Sequence, residues 1–192
     1  MLAGSTVTNT GPTIVTGGEL GVWAGAAIVG FPPGTVIGGS IHSADPVAQQ
    51  AQSDLTAAYN DAAGRLFPTT KDGNIGGQTL PCGVYKASSS LEISSLDLTL
   101  NGGPNDVFIF QIGSTLKTTP FRKVLLTGGA KASNVFWQVG SSATIDVSSV
   151  MVGTIMANAS ITMNTSATLD GRALARIAAV TLDSNIVTKP AP

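Results

Sequence analysis

Three tetrapeptides recur in the C-terminal part of the chain: "SSAT" at Ser141–Thr144, "ASIT" at Ala159–Thr162 and "AAVT" at Ala178–Thr181. Ser142 and Ser160 lie 18 residues apart, Ser160 and Ala179 lie 19 apart, and Thr144, Thr162 and Thr181 keep the same steps, as do Asp146, Asn164 and Asp183. The residues between them, Ala143 with Ile145, Ile161 with Met163 and Val180 with Leu182, are apolar. Each segment therefore reads as a strand with a hydroxyl face outward and an aliphatic face inward. A period this short excludes a βαβ unit or a propeller blade. It suits one coil of a β-solenoid, in which each unit buries its apolar side only by stacking on the next. Stacked coils would set the equivalent threonines about 4.8 Å apart in a row.

Looser copies stand earlier: "STVT" at Ser5–Thr8, "SSLE" at Ser89–Glu92 and "STLK" at Ser114–Lys117, each with an apolar third residue. They add Thr6, Thr8, Ser90 and Thr115 to the outward positions. Glu92 and Lys117 replace threonine at the fourth position, and on neighbouring coils they would pair across the ladder. "VFIFQIG", "VFWQVG" and "ATIDV" also alternate at period two between Gly, Ser and Asn punctuation. Phe108, Phe110, Phe136 and Trp137 are expected in the core or under a helix, and period two places one of Phe136 and Trp137 against the helix or solvent.

A single segment reads as helical, over about residues 45–66. Asp45 can cap it, and Pro46 suits the first helical position, where its missing N–H costs nothing. Val47, Ala51, Leu55, Tyr59, Ala62 and Leu66 recur at three- and four-residue steps as the face to bury, and Pro68 lies beyond the end. Residues 33–44 are expected to cap one end of the solenoid, where open strand edges would invite pairing.

Composition narrows the function classes. Charged residues make up 11% of the 192 residues, with Lys+Arg 10 against Asp+Glu 11, so no basic patch points to nucleic acid or an anionic membrane. Cys82 and His42 are each the only residue of their type, which leaves no disulfide framework, no multi-cysteine metal site and no catalytic thiol pair. No apolar run of about 20 residues is present. Neither a cofactor, a metal nor a catalytic residue is expected.

The segments "LAGSTVTNTGPTIVTGGELGV", "AYNDAAGRL", "GNIGGQTLPCGVYK", "VFIFQIG", "LTGGAKASNVFWQVG" and "LDGRALARIAAVTLDSNIV", in this order, span essentially the whole chain. In them the sequence resembles the bacterial and fungal ice-binding (antifreeze) protein family. The resemblance implies a single domain over 1–192: mainly β, an irregular right-handed β-solenoid (β-helix) of triangular cross-section with one long α-helix alongside. It implies adsorption to an ice crystal surface through one flat face carrying a loose T-A/G-X-T/N motif, giving thermal hysteresis and inhibition of ice recrystallisation. That motif falls on Ala159–Thr162 and Ala178–Thr181, with Ser141–Thr144 as a serine variant; none of the three begins with threonine, a departure from the family pattern. The literal match "TGPT" at Thr10–Thr13 contains Gly11 and Pro12 and is expected in a turn. The expected ice-binding residues are Ser142, Thr144, Ser160, Thr162, Ala179 and Thr181 at the centre, with Thr6, Thr8, Ser90 and Thr115. A secreted monomer is implied, with Met1 standing where a signal peptide has been removed.

Two rivals come from other classes. An extracellular adhesin or polysaccharide-binding β-helix module would carry the same ladders without ice activity. A polysaccharide lyase or hydrolase would need carboxylates converging in a cleft, for which Asp170, Arg172, Arg176 and Asp183 are the nearest approach to a cluster, read as a solvated corner.

Overall fold

The alternating segments stack as parallel strands around a three-sided core. The computed structural model describes residues 1–191. One face is an eight-stranded sheet in the order Ala27–Val29, Thr6–Thr10, Val180–Asp183, Ile161–Met163, Ala143–Ile145, Leu116–Thr118, Leu91–Ile93 and Gly73–Asn74. A second face contains Val135–Val139, Phe108–Ile112 and Gly83–Ala87, and a third contains Thr79–Pro81, Leu98–Asn101 and Val124–Thr127. The strands Val150–Ala157 and Thr168–Ala175 run through both of these faces. Their first halves continue the third face through the Lys123–Val150 bridge, and their second halves continue the second. The bend falls at Gly153, with φ +95°, where a Cβ would come 2.5 Å from the Val135 carbonyl oxygen.

Chain order and stacking order differ. Thr6–Thr10 pairs with Val180–Asp183, Leu2 with Leu174 and Ile14–Thr16 with Ile186–Thr188, so the two N-terminal coils continue the stack beyond the last C-terminal one. The chain then returns along the second face as the helix and restarts at the far end with Thr69–Thr70 and Gly73–Asn74. Residues 33–44 supply two strands of the outermost coil, Thr35–Ile37 and Ile41–Ser43, rather than a separate cap.

Inward positions form one continuous core. Trp137, Phe108 and Phe110 are fully buried. Tyr85, Phe110 and Trp137 stack on successive coils with ring centroids 5.2 and 4.1 Å apart, and the Trp137 Nε1–H donates to the Val152 carbonyl at 2.9 Å. Phe136 points outward and packs against the helix cluster, as period two requires.

The helix spans Pro46–Ala63, with Asp45 accepting from the Ala48 N–H at 2.8 Å and Gly64 as its C-cap. It thus ends a turn before residue 66. Its buried line is Ala48, Gln52, Leu55, Tyr59 and Ala62, while Val47 is 49% and Leu66 73% exposed. The buried line is rotated from the expected one because the helix touches the sheet along a narrow seam and docks partly through polar groups. Gln52 Nε2 donates to the Ala175 carbonyl at 3.0 Å and the Tyr59 hydroxyl to the Val139 carbonyl at 3.2 Å. Arg176 lies over the Tyr59 ring, 4.5 Å from its centroid. The helix covers the second face and leaves the eight-stranded face open.

Candidate functional site: the eight-stranded face

On the open face, register converts sequence spacing into columns. Thr8 pairs with Thr181, Thr181 with Thr162, Thr162 with Thr144, Thr144 with Lys117, Lys117 with Glu92 and Glu92 with Asn74, while Val29 lies beyond Thr8. Two residues upstream on each strand, the same register lines up Ala27, Thr6, Ala179, Ser160, Ser142, Thr115 and Ser90. All ten residues singled out in the sequence share this surface. Ala27 and Val29 also belong to it; "AAIV" at Ala26–Val29 repeats the small, small, apolar, β-branched pattern and was the signal available for them. Adjacent columns are about 6.7 Å apart and adjacent rows about 4.8 Å.

The columns are held from below and from the sides. Val7, Val180, Ile161, Ala143 and Leu116, which alternate with the outward residues, are buried to within 1% of full burial and fix the plane of the sheet. Ser160 Oγ donates to Ser142 Oγ at 2.9 Å, Thr115 Oγ1 to Ser90 Oγ at 2.8 Å and Thr8 Oγ1 to Thr181 Oγ1 at 3.3 Å. Two of these bonds thus join rows of the serine-rich column and the third joins rows of the threonine column. The Thr144 and Thr162 side chains are half-buried between their neighbours, and their β-branched Cβ restricts χ1. The result is a regular array of methyls and hydroxyls whose conformations are largely set by the fold.

The rim of the face is polar and largely hydrogen-bonded. Asn164 Nδ2 donates to Asp146 Oδ1 at 2.9 Å, and the Thr165 hydroxyl donates to Asp183. The Asn164 amide foremost, then the Val147 N–H and the Lys117 ammonium, hold the Asp146 carboxyl below the usual carboxylate range against an opposing effect of burial. At the turn beyond the rim, Gly11, Ser184, Ser166, Ser148, Phe121 and Ser95 all have φ between 54° and 74°, one per coil, so each coil leaves the face through the same left-handed corner. "TGPT" lies in this corner: Thr13 is fully buried and its Oγ1 accepts from the Asn185 N–H at 3.0 Å.

Asp170, Arg172, Arg176 and Asp183, expected together at a solvated corner, lie on different faces and do not converge. Asp170 lies on the third face, where burial pushes its carboxyl up; Arg172 and Arg176 lie on the helix side, and Asp183 lies on the open face. Among the described residues no group of three or more His, Cys, Asp or Glu side chains is placed to hold a metal ion. Cys82 and His42 sit on the coils at opposite ends of the stack. Glu92 and Lys117 are cross-strand partners, yet no ion pair within 4.0 Å joins them.

A family model described as "Ice-binding-like" matches residues 1–188. The chain belongs to this family. It is 46% identical over 192 residues to an ice-binding protein of Nostoc sp. (strain HG1), covering 98% of this chain and 70% of that one. Its fold superposes on a crystal structure of an ice binding protein from an Antarctic biological consortium with a TM-score of 0.94 and 53% identity, covering 99% and 86% of the two chains. An ice-binding protein from the Antarctic ascomycete Antarctomyces psychrotrophicus superposes with a TM-score of 0.93 at 39% identity, covering 100% and 94%. Ice-binding-family membership implies a binding protein rather than an enzyme, and the shared fold is the β-helix with one helix alongside.

Proposed function

We propose that the open eight-stranded face adsorbs to ice, with Thr144, Thr162, Thr181 and Thr8 in one column and Ser142, Ser160, Ala179 and Thr6 beside them. The observation that carries this is the register: Thr8, Thr181, Thr162 and Thr144 stand on four successive coils of one sheet, in a column uncharged over those four rows, in a chain of the ice-binding-like family. Each threonine offers a methyl, against which water orders as a cage, and a hydroxyl that anchors that cage. Among the described residues, the Thr144 and Thr162 hydroxyls make no hydrogen bond within the protein and are open to water. Because stacking sets the array before ice is met, little side-chain ordering opposes adsorption. A bound monomer then pins the ice front, lowering the freezing point and restraining recrystallisation. We place the protein outside the cell, where it would meet extracellular ice.

The test is thermal hysteresis and ice-crystal shape for the wild type beside Thr162→Tyr, with circular dichroism to show both equally folded. An aromatic ring at the centre of the array lifts the plane off a flat surface while remaining compatible with a strand. Activity is expected to fall severalfold or vanish at unchanged thermal stability. An active wild type with an unaffected variant would move the site to another face, and an inactive wild type would favour the adhesin alternative.

A further inference from the structure

The threonine column is interrupted, and the interruption is confined to two side chains. From the outermost coil inward it reads Val29, Thr8, Thr181, Thr162, Thr144, Lys117, Glu92 and Asn74. The neighbouring column remains uncharged alongside both charges, with Ser142, Thr115 and Ser90 on the coils concerned. The platform itself does not change there. Leu116 and Leu91 fill the inward positions with 0% and 1% exposure, as Ala143 and Ile161 do above, and the strands remain in parallel register. Backbone and core therefore continue a flat face that two side chains take out of use.

We propose that Lys117 and Glu92 set the lower boundary of the ice-adsorbing patch and thereby limit the activity of this chain. The inference rests on the assignment of the open face as the adsorbing surface. An ammonium group is compact and strongly hydrated, and its flexible stem carries it away from the sheet. Ice does not accommodate ions, so a hydrated charge standing in the plane keeps the lattice from closing over that row. Lys117 is exposed, and no salt bridge within 4.0 Å ties it down to Glu92. Glu92, unpaired with Lys117 within 4.0 Å, is a second hydrated ion one row further down. The usable array thus ends at Thr144.

The experiment is the double substitution Lys117→Thr/Glu92→Thr, which removes one charge of each sign and leaves the net charge at −1. Thermal hysteresis is compared with the wild type at equal molar concentration, after circular dichroism and a thermal melt show both folded. The threonine column grows from four to six rows at about 4.8 Å each, so hysteresis is expected to rise by at least about half. A folded double variant with hysteresis equal to or below wild type overturns the proposal. Should that variant fail to fold, Lys117→Gln removes the nearer charge at similar side-chain length; a rise supports the boundary and no rise overturns it. Failure of the underlying assignment looks different: there the wild type is inactive, or Thr162→Tyr leaves it active. A wild type that is active and sensitive at Thr162 but indifferent at Lys117 and Glu92 sinks the boundary alone.

Discussion

At the scale of single residues, the corner beside the open face depends on buried polar side chains as much as on apolar ones. Asn185 is fully buried; its Nδ2 donates to the Asn164 carbonyl at 2.9 Å and the Ala167 carbonyl at 3.0 Å, and its Oδ1 accepts from the Asp183 N–H at 2.7 Å. It thereby ties two successive coils at the point where each leaves the face through a left-handed residue. Asn185→Ala strands the Asp183 N–H and the Ala167 carbonyl in a dry corner, while the Asn164 carbonyl keeps its bond from the Ala167 N–H; it is expected to cost about 2 kcal/mol, roughly 1 per unsatisfied group, read as a lower denaturant midpoint at unchanged slope. Asn185→Asp keeps the acceptor and loses both donors, so it should destabilise as well; a neutral result for both would show that water replaces the amide. Nothing in the sequence marks Asn185, because its partners are main-chain atoms 18 and 21 residues away and a short polar residue in "LDSNIV" looks like any turn. Thr144, Thr162 and Thr181 were legible for the opposite reason: their neighbours are copies of themselves.

At the scale of elements, the helix shows where periodicity succeeds and where it drifts. Its start was plain, since Asp45 followed by Pro46 is a cap followed by a pre-set first residue, and both act as such. Its buried line was off by a step because Ala48 and Gln52 carry too little hydrophobicity to mark a face, while Val47 and Leu66 carry it without using it. The cap also couples the helix to pH. The Ala48 N–H first, and then His42, whose Nδ1 lies 2.7 Å from Asp45 Oδ2, hold the Asp45 carboxyl below the usual carboxylate range. A carboxyl with a lower pKa in the folded chain contributes stability that is present above its unfolded value of about 4 and is lost as pH falls through the folded value. Melting temperature should therefore drop between about pH 5 and about pH 2.5, where carboxyls alone titrate, and Asp45→Asn, which caps without ionising, should lose less over the same window. Equal drops in both proteins would show that Asp45 is not among the groups responsible.

For the whole molecule, the consequential feature is that coil order is not chain order. A simple solenoid unzips from either terminus, since each coil contacts only its neighbours. Here both termini meet inside the stack: Ile186–Thr188 lies between Thr168–Asp170 and Ile14–Thr16, and the free ends belong to Ala27–Val29 on one side and Gly73–Asn74 on the other. The repeat length disclosed the step from coil to coil but carried no label for which copy stacks on which, so "STVT" could not be placed until Thr8 was seen beside Thr181. One inward column separates the consequences. Val187, Val15 and Val36 lie in register on successive coils; Val187 and Val15 are each 2% exposed, whereas Val36 is half-buried in the outermost coil. Val187→Asp puts a carboxylate where the two ends of the chain join and should abolish cooperative folding, because the N-terminal coils lose the platform on which they rest. Val36→Asp should loosen only the outermost coil, as a local opening, and leave the rest folded with its four-threonine column intact. Hydrogen exchange distinguishes the cases: in Val36→Asp, the amides of Ala27–Val29 and Thr35–Ile37 should lose protection while those of Val180–Asp183 keep it. If both substitutions unfolded the protein alike, the stack would be a single cooperative unit and the join between the termini would have no special weight.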